Sequence, residues 1–210
     1  MTTTRHLQNL ADLAGSLRPR FTPEKPLPRL LFVTDPQRTP DPEAVAAGLP
    51  VGSGVIYRAF GADDALPRAR RLKAIAVERE LILLVGADAA LAEACGADGV
   101  HLPEAMIDRA TVLRQGHPGW ILTAAAHSLA ATERAAAAGC DAALVSTVFA
   151  SQSPSAGAPM GAGAFADLVR AAPLPVYALG GVTIRTAPDL AGSGAQGFAM
   201  VEGLAEAVRT

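Results

Sequence analysis

His127 closes the apolar run ILTAAAH, and the SLAATERAAAAG behind it reads as a helix with Ser128 in capping position. An imidazole at a strand tip titrates near neutrality and passes protons in either direction, which makes His127 a candidate general acid/base. A hydrogen-bonded structural histidine would also fit; the position at the rim favours the catalytic reading. The stretch GADGVHLPEAM (96–106) is built like another strand tip. Where a metal site would want carboxylates it offers Pro103, a single Glu104, Ala105 and Met106. Alternation with Val100 and Leu102 sends His101 to the opposite face from both, as a packed and satisfied histidine.

A second group of residues could hold an anion. Gly180-Gly181 ends the run PVYALGG, with a helix expected from Val182-Thr183, and GFAMVEG ends at Val201-Glu202-Gly203. Backbone N–H groups at helix starts attract phosphate, although a double glycine also suits a plain tight turn. Arg58, at the end of SGVIYR, fits either an anion contact or a rim salt bridge.

These residues need a scaffold that gathers strand tips at one end. Eight apolar runs begin near 28, 53, 81, 99, 121, 142, 175 and 197, separated by alanine-rich segments with helical spacing near 43–48, 64–79, 88–95, 105–115, 129–138, 162–171, 184–192 and 203–209. Regular alternation with near-continuous apolar strands implies a parallel sheet covered by helices. Eight units in this length predict a (β/α)₈ barrel of the α/β class, whose chemistry lies in loops after the strand ends. The longest such loop, ASQSPSAGAPMGAG, reads as a lid or a long surface loop, its hydroxyls favouring the lid. Residues 1–27 carry Leu7, Leu10, Leu13 and Leu17 at helical spacing, then FTPEKPLP; they read as an added helix and connector before one domain spanning 28–210. The segments AEACGADGVHL, AAAAGCDAALV and LAGSGAQGFAM echo one another, with Gly96, Gly139 and Gly194 as helix stops.

The 210 residues carry 18 basic and 20 acidic side chains, a net −2 with no basic run, so neither nucleic acid nor an anionic membrane is the expected partner. No apolar run has membrane length and MTTTRHLQNLADLAGSLRPR has no signal core, so a cytoplasmic location is expected. Cys95 and Cys140 read as small buried residues rather than a disulfide. Only Lys25 and Lys73 are lysines, neither at a strand tip, which disfavours a Schiff-base aldolase.

In order, FVTD, GADGVHL, AAAHSLAATERAAAAGCDAALVSTVF, YALGGV and SGAQGFAMVEG resemble the thiamine phosphate synthase and TenI-like family of phosphate-binding barrels, over roughly residues 29–207. The resemblance implies a small phosphorylated thiazole-type ligand, with Ser151 and Ser153 at the family's substrate-binding hydroxyls and Gly180-Gly181 as its phosphate loop. It also departs from the synthase. Of that family's Gln, Arg and Lys near the second strand only Arg58 remains, with Ile56 and Phe60 in the other places. Gly86-Ala87 replace an Asn-Asp pair, Met106 an acidic residue and Pro154 a lysine. Magnesium and a leaving pyrophosphate would lack their partners. His127 matches the proposed acid/base of the TenI branch, which shifts a thiazole tautomer without metal. The resemblance therefore implies a metal-independent and cofactor-free thiazole phosphate tautomerase, with a divergent synthase or a non-catalytic binder of a thiamine precursor as alternatives. A homo-oligomer is compatible with it. Glu202 stands beside the expected phosphate, where a carboxylate would repel it unless turned away.

Overall fold

The computed structural model describes residues 3–153 and 157–209, so Pro154 lies outside the described residues. The elements run α1 (Thr3–Ser16), β1 (Leu30–Val33), α2 (Pro42–Gly48), β2 (Gly54–Tyr57), α3 (Ala65–Glu78), β3 (Ile82–Gly86), α4 (Ala89–Cys95), β4 (Gly99–Leu102), α5 (Arg109–Gly116), β5 (Ile121–Ala126), α6 (Leu129–Ala137), β6 (Ala142–Val145), α7 (Gly161–Ala171), β7 (Val176–Ala178), β8 (Gly197–Met200) and α8 (Glu202–Arg209). All neighbouring strands pair in parallel, and β8 pairs with β1 to close a (β/α)₈ barrel.

Strand alternation builds two cores. Leu31, Val33, Ile56, Leu84, Ile121, Leu144 and Tyr177 form one buried cluster, which the register places inside the barrel. Phe32, Val55, Leu83, Val100, Leu122, Val145 and Phe198 form the other, between sheet and helices. Helix α1 joins this outer core through buried Leu10 and Ala14, with Leu17 just beyond its end, and packs on α8. Asp41, Asp88 and Ser128 cap α2, α4 and α6 by accepting a backbone N–H three residues on. Both cysteines are buried and free, and burial pushes the Cys140 thiol up to about 12.

The echo of three segments has a physical cause beyond the glycine stop. Asp98 accepts the Leu83 N–H at 2.8 Å, and Asp141 accepts the Leu122 N–H at 2.7 Å. Each aspartate thus ties the start of its own strand to the strand before it. The two lysines pair with these aspartates: Lys73 lies 2.7 Å from Asp98 and Lys25 lies 3.3 Å from Asp141. In the third copy Gln196 takes the place of the aspartate and donates to the Leu27 carbonyl at 3.1 Å.

His101 faces the barrel interior, where its Nδ1 shares a 2.9 Å hydrogen bond with the Thr123 hydroxyl. Burial, reinforced by the Arg58 charge, lowers its pKa to about 4. The unfolded chain takes up this proton near pH 6.5, so the folded state binds fewer protons between about 6.5 and 4. Stability is complete above that window and falls through it by roughly 3 kcal/mol as the pH drops. Urea unfolding at pH 7 and pH 4.5 should show the loss, and the His101→Gln variant should lose distinctly less. Parallel losses in the two proteins would assign the pH dependence to other groups.

Candidate functional site

The loops after β1, β2, β6, β7 and β8 enclose a cavity of about 770 Å³ at the C-terminal mouth of the barrel. Arg58, Ser151, Ser153, Gly180, Gly181, Val201 and Glu202 all line it. His127 does not; it stands at the end of β5 and is exposed.

Backbone geometry explains the double glycine. Gly180 and Gly181 have φ of 91° and 64°, a region that side chains disfavour. A Cβ on Gly180 would lie 2.9 Å from the Thr147 methyl, and one on Gly181 would meet the Ala150 carbonyl oxygen. The loop after β7 is therefore pressed against the loop after β6, and the Val148 and Phe149 N–H groups donate to the Leu179 and Gly180 carbonyls at 3.0 and 2.9 Å. The helix expected over 184–192 is not formed. A 3₁₀ turn, Ala187–Leu190, stands there instead. Pro188 brings no N–H to a helical ladder, and the Thr186 hydroxyl accepts the Thr183 N–H at 2.9 Å while donating to the Gly181 carbonyl at 2.9 Å. The helix start at the cavity is that of α8, at Glu202 and Gly203.

Arg58 forms the rim salt bridge read from its position. Its Nε donates to the Thr34 carbonyl at 2.7 Å and its guanidinium reaches Asp35 at 3.1 Å, and it also lines the cavity. Gly86 makes room for it, since a Cβ there would lie 3.0 Å from the Arg58 Cγ. Arg38 joins the same Asp35 oxygen at 3.0 Å and comes within 3.9 Å of Glu202. Burial alone would raise the Asp35 pKa, but hydrogen bonds from the Arg38 side chain and backbone outweigh it and hold the carboxyl below its ordinary value. Burial draws the Arg58 guanidinium below its usual value, against the pull of Asp35. The Glu202 carboxylate, about half exposed, thus has a cation beside it.

Arg38, Thr147 and Arg185 also line the cavity and were not singled out from sequence. A strand-tip carboxylate such as Asp35 wants a cationic partner, and Arg38 three residues on is the signal that could have led there. Nothing comparable marks Arg185.

On the β4–β5 side, Glu104 accepts both the His127 N–H at 2.8 Å and a 2.7 Å bond from Nδ1. A carboxylate only accepts, so Nδ1 carries a proton and the neutral ring keeps the Nε2 lone pair. Magnesium does not fit the residues at these tips. Ala87 and Met106 carry no oxygen ligand, Asp35 is engaged by two arginines and Glu104 by His127. Among the described residues no three His, Cys, Asp or Glu side chains group as a metal site would require.

The family model described as thiamine monophosphate synthase matches residues 30–204. The chain belongs to that family. It is 34% identical over 139 residues to a thiamine-phosphate synthase of Methanoculleus marisnigri, covering 66% of each chain. It is 30% identical over 183 residues to one from a Synechococcus strain, covering 84% of this chain and 52% of that protein. The match thus spans about two thirds of the first relative's length and about half of the second's. A structure titled thiamine phosphate pyrophosphorylase, from Pyrococcus furiosus, shares the fold with a TM-score of 0.72 at 22% identity, covering 94% of this chain and 98% of that one. No helix among the described residues is long and apolar enough to cross a membrane.

Proposed function

We infer that this member of the thiamine monophosphate synthase family binds a phosphorylated thiazole-type precursor of thiamine in the barrel mouth, and that His127 moves a proton on it. The phosphate belongs at Gly180-Gly181, with Ser151 and Ser153 beside it and the α8 start opposite. Fixed N–H groups, hydroxyls and arginines suit an anion there. A tautomer shift removes one proton and delivers another. The Nε2 of His127, held in one tautomer by Glu104, is equipped to do both.

One observation carries the preference for proton transfer over condensation: Ala87 and Met106 stand where the resemblance expects polar groups, and the carboxylates nearest them, Asp88 and Glu104, are engaged in capping α4 and in holding His127. The second reading is the synthase reaction, and the relatives favour it, since both are named thiamine-phosphate synthase. An assay with a thiazole phosphate, a pyrimidine pyrophosphate and magnesium decides between them. We expect no thiamine phosphate above background and measurable tautomer conversion without the pyrimidine. Robust thiamine phosphate formation would replace this reading by the synthase; binding without either reaction would leave a binder.

A further inference from the structure

A second cavity of about 550 Å³ adjoins the first, and the two share Arg38, Gln152 and Glu202 as a common wall. Their charges differ. Three arginines, Arg38, Arg58 and Arg185, face Glu202 and Glu206 in the inner cavity, a formal excess of one positive charge. In the outer cavity Asp35 and Glu202 face Arg38, and Arg58 pairs with the same Asp35 from behind Phe60, so no positive excess remains there. A bound phosphate is drawn inward.

The outer cavity also has an aromatic wall. Phe60 lines it, is 68% exposed and has φ of 48°, an unusual backbone conformation for so bulky a residue. Strained positions of this kind concentrate at ligand sites, where the surroundings hold them. Here the Arg58 guanidinium lies 5.1 Å from the ring centroid and is itself held by Thr34 and Asp35. The ring is thus steadied from one side and open to the cavity for the rest.

We propose that Phe60 is a specificity-determining stacking platform for a flat, neutral or cationic heteroaromatic ring of a ligand whose phosphate occupies the inner cavity. This rests on the reading of the mouth as a phosphate site; a ring seated on Phe60 stands beyond β2, away from His127 at the end of β5, so the platform describes how the ligand is selected and held on entry and not the pose in which His127 would act. The platform makes the ring, rather than the phosphate, the feature that selects among phosphate monoesters.

Calorimetric titration of the full chain with ethyl phosphate and with a thiazolylethyl phosphate tests it. The ratio of the two affinities in each protein is the readout, so general damage to the site cancels. The parent and Phe60→Tyr should prefer the thiazolyl ester by about 10-fold, a typical stacking contribution. Phe60→Gly, which suits the positive φ, should bring the ratio to within about two-fold. Phe60→Ala repeats the truncation with a Cβ kept, and thermal melts confirm that the variants are folded. A ratio unchanged in the truncated variants overturns the platform, as does a parent that binds both esters equally. A parent that binds neither ester overturns the phosphate site and the platform with it.

Discussion

Replacing His127 by asparagine is expected to lower conversion of a thiazole phosphate tautomer by about 10²-fold or more, the usual scale for losing a general acid/base. Binding should survive, because His127 lies outside the cavity in which the phosphate is proposed to sit. Asparagine keeps a hydrogen-bonding side chain for Glu104 and removes the imidazole proposed to accept and return the proton. The backbone N–H of residue 127, which Glu104 also accepts at 2.8 Å, is unchanged by the substitution, so the loop keeps one of its two ties. A companion variant, Glu104→Gln, should lose about 10-fold: the imidazole remains, but a neutral amide no longer fixes its tautomer or stabilises its protonated form. Progress curves of tautomer conversion, with the affinity measured separately, give both numbers. Conversion at the parent rate in His127→Asn would make the histidine structural and the barrel a binder or an enzyme with another base.

The barrel was legible because its signal is repeated. Leu31, Leu84 and Leu144 alternate with residues such as Phe32, Val85 and Val145, and each strand repeats that inside-outside pattern. The crossover between β7 and β8 departs from its helical spacing for a local reason. Ile184, Ala187 and Leu190 have helical spacing, yet Pro188 and the Thr183–Thr186 hydrogen bonds favour a tighter turn. At the site, Gly180-Gly181 could be found because a positive φ leaves a mark in the residue type. Arg38 could not be placed so directly, since its role depends on β2 bringing Arg58 to the same Asp35 oxygen. The finer division of the family escapes overall likeness as well. Ala87, Met106 and Phe60 are few among the 30–204 matched residues, and the barrel core dominates any comparison. The names of the relatives carry the synthase activity, while those few positions are what favour the proposed tautomerase.

Gly181→Ala should be among the most damaging single-methyl additions in the mouth, and its cost can be separated into two parts. The first is conformational. At φ of 64° an alanine pays about 1 kcal/mol or somewhat more for the left-handed backbone. Gly192 measures that part alone, because it has φ of 74° and nothing within 4 Å of an added Cβ. The second part is steric and belongs to Gly181. Its Cβ would collide with the Ala150 carbonyl oxygen and lie 2.8 Å from the Phe149 carbonyl carbon. These are backbone atoms of the loop after β6, anchored by the Phe149 N–H bond to the Gly180 carbonyl, so they cannot turn aside as a side chain would. The two loops must part, at a further cost of about 2–3 kcal/mol, in the range of overpacking. Gly181→Ala should therefore melt roughly 5–10 °C below Gly192→Ala, at the scale of 2–4 °C per kcal/mol for a chain of this size. The same displacement opens the space between Gly181 and Ser151, so inorganic phosphate should bind the Gly181→Ala variant about 10-fold more weakly, as for the loss of one good hydrogen bond to a charged group. Melting curves and phosphate titrations of the parent and both variants supply the comparison. If Gly181→Ala melts with Gly192→Ala, the loops are not in close contact. If it melts lower but binds phosphate as the parent does, the double glycine serves packing alone and the anion lies elsewhere in the mouth.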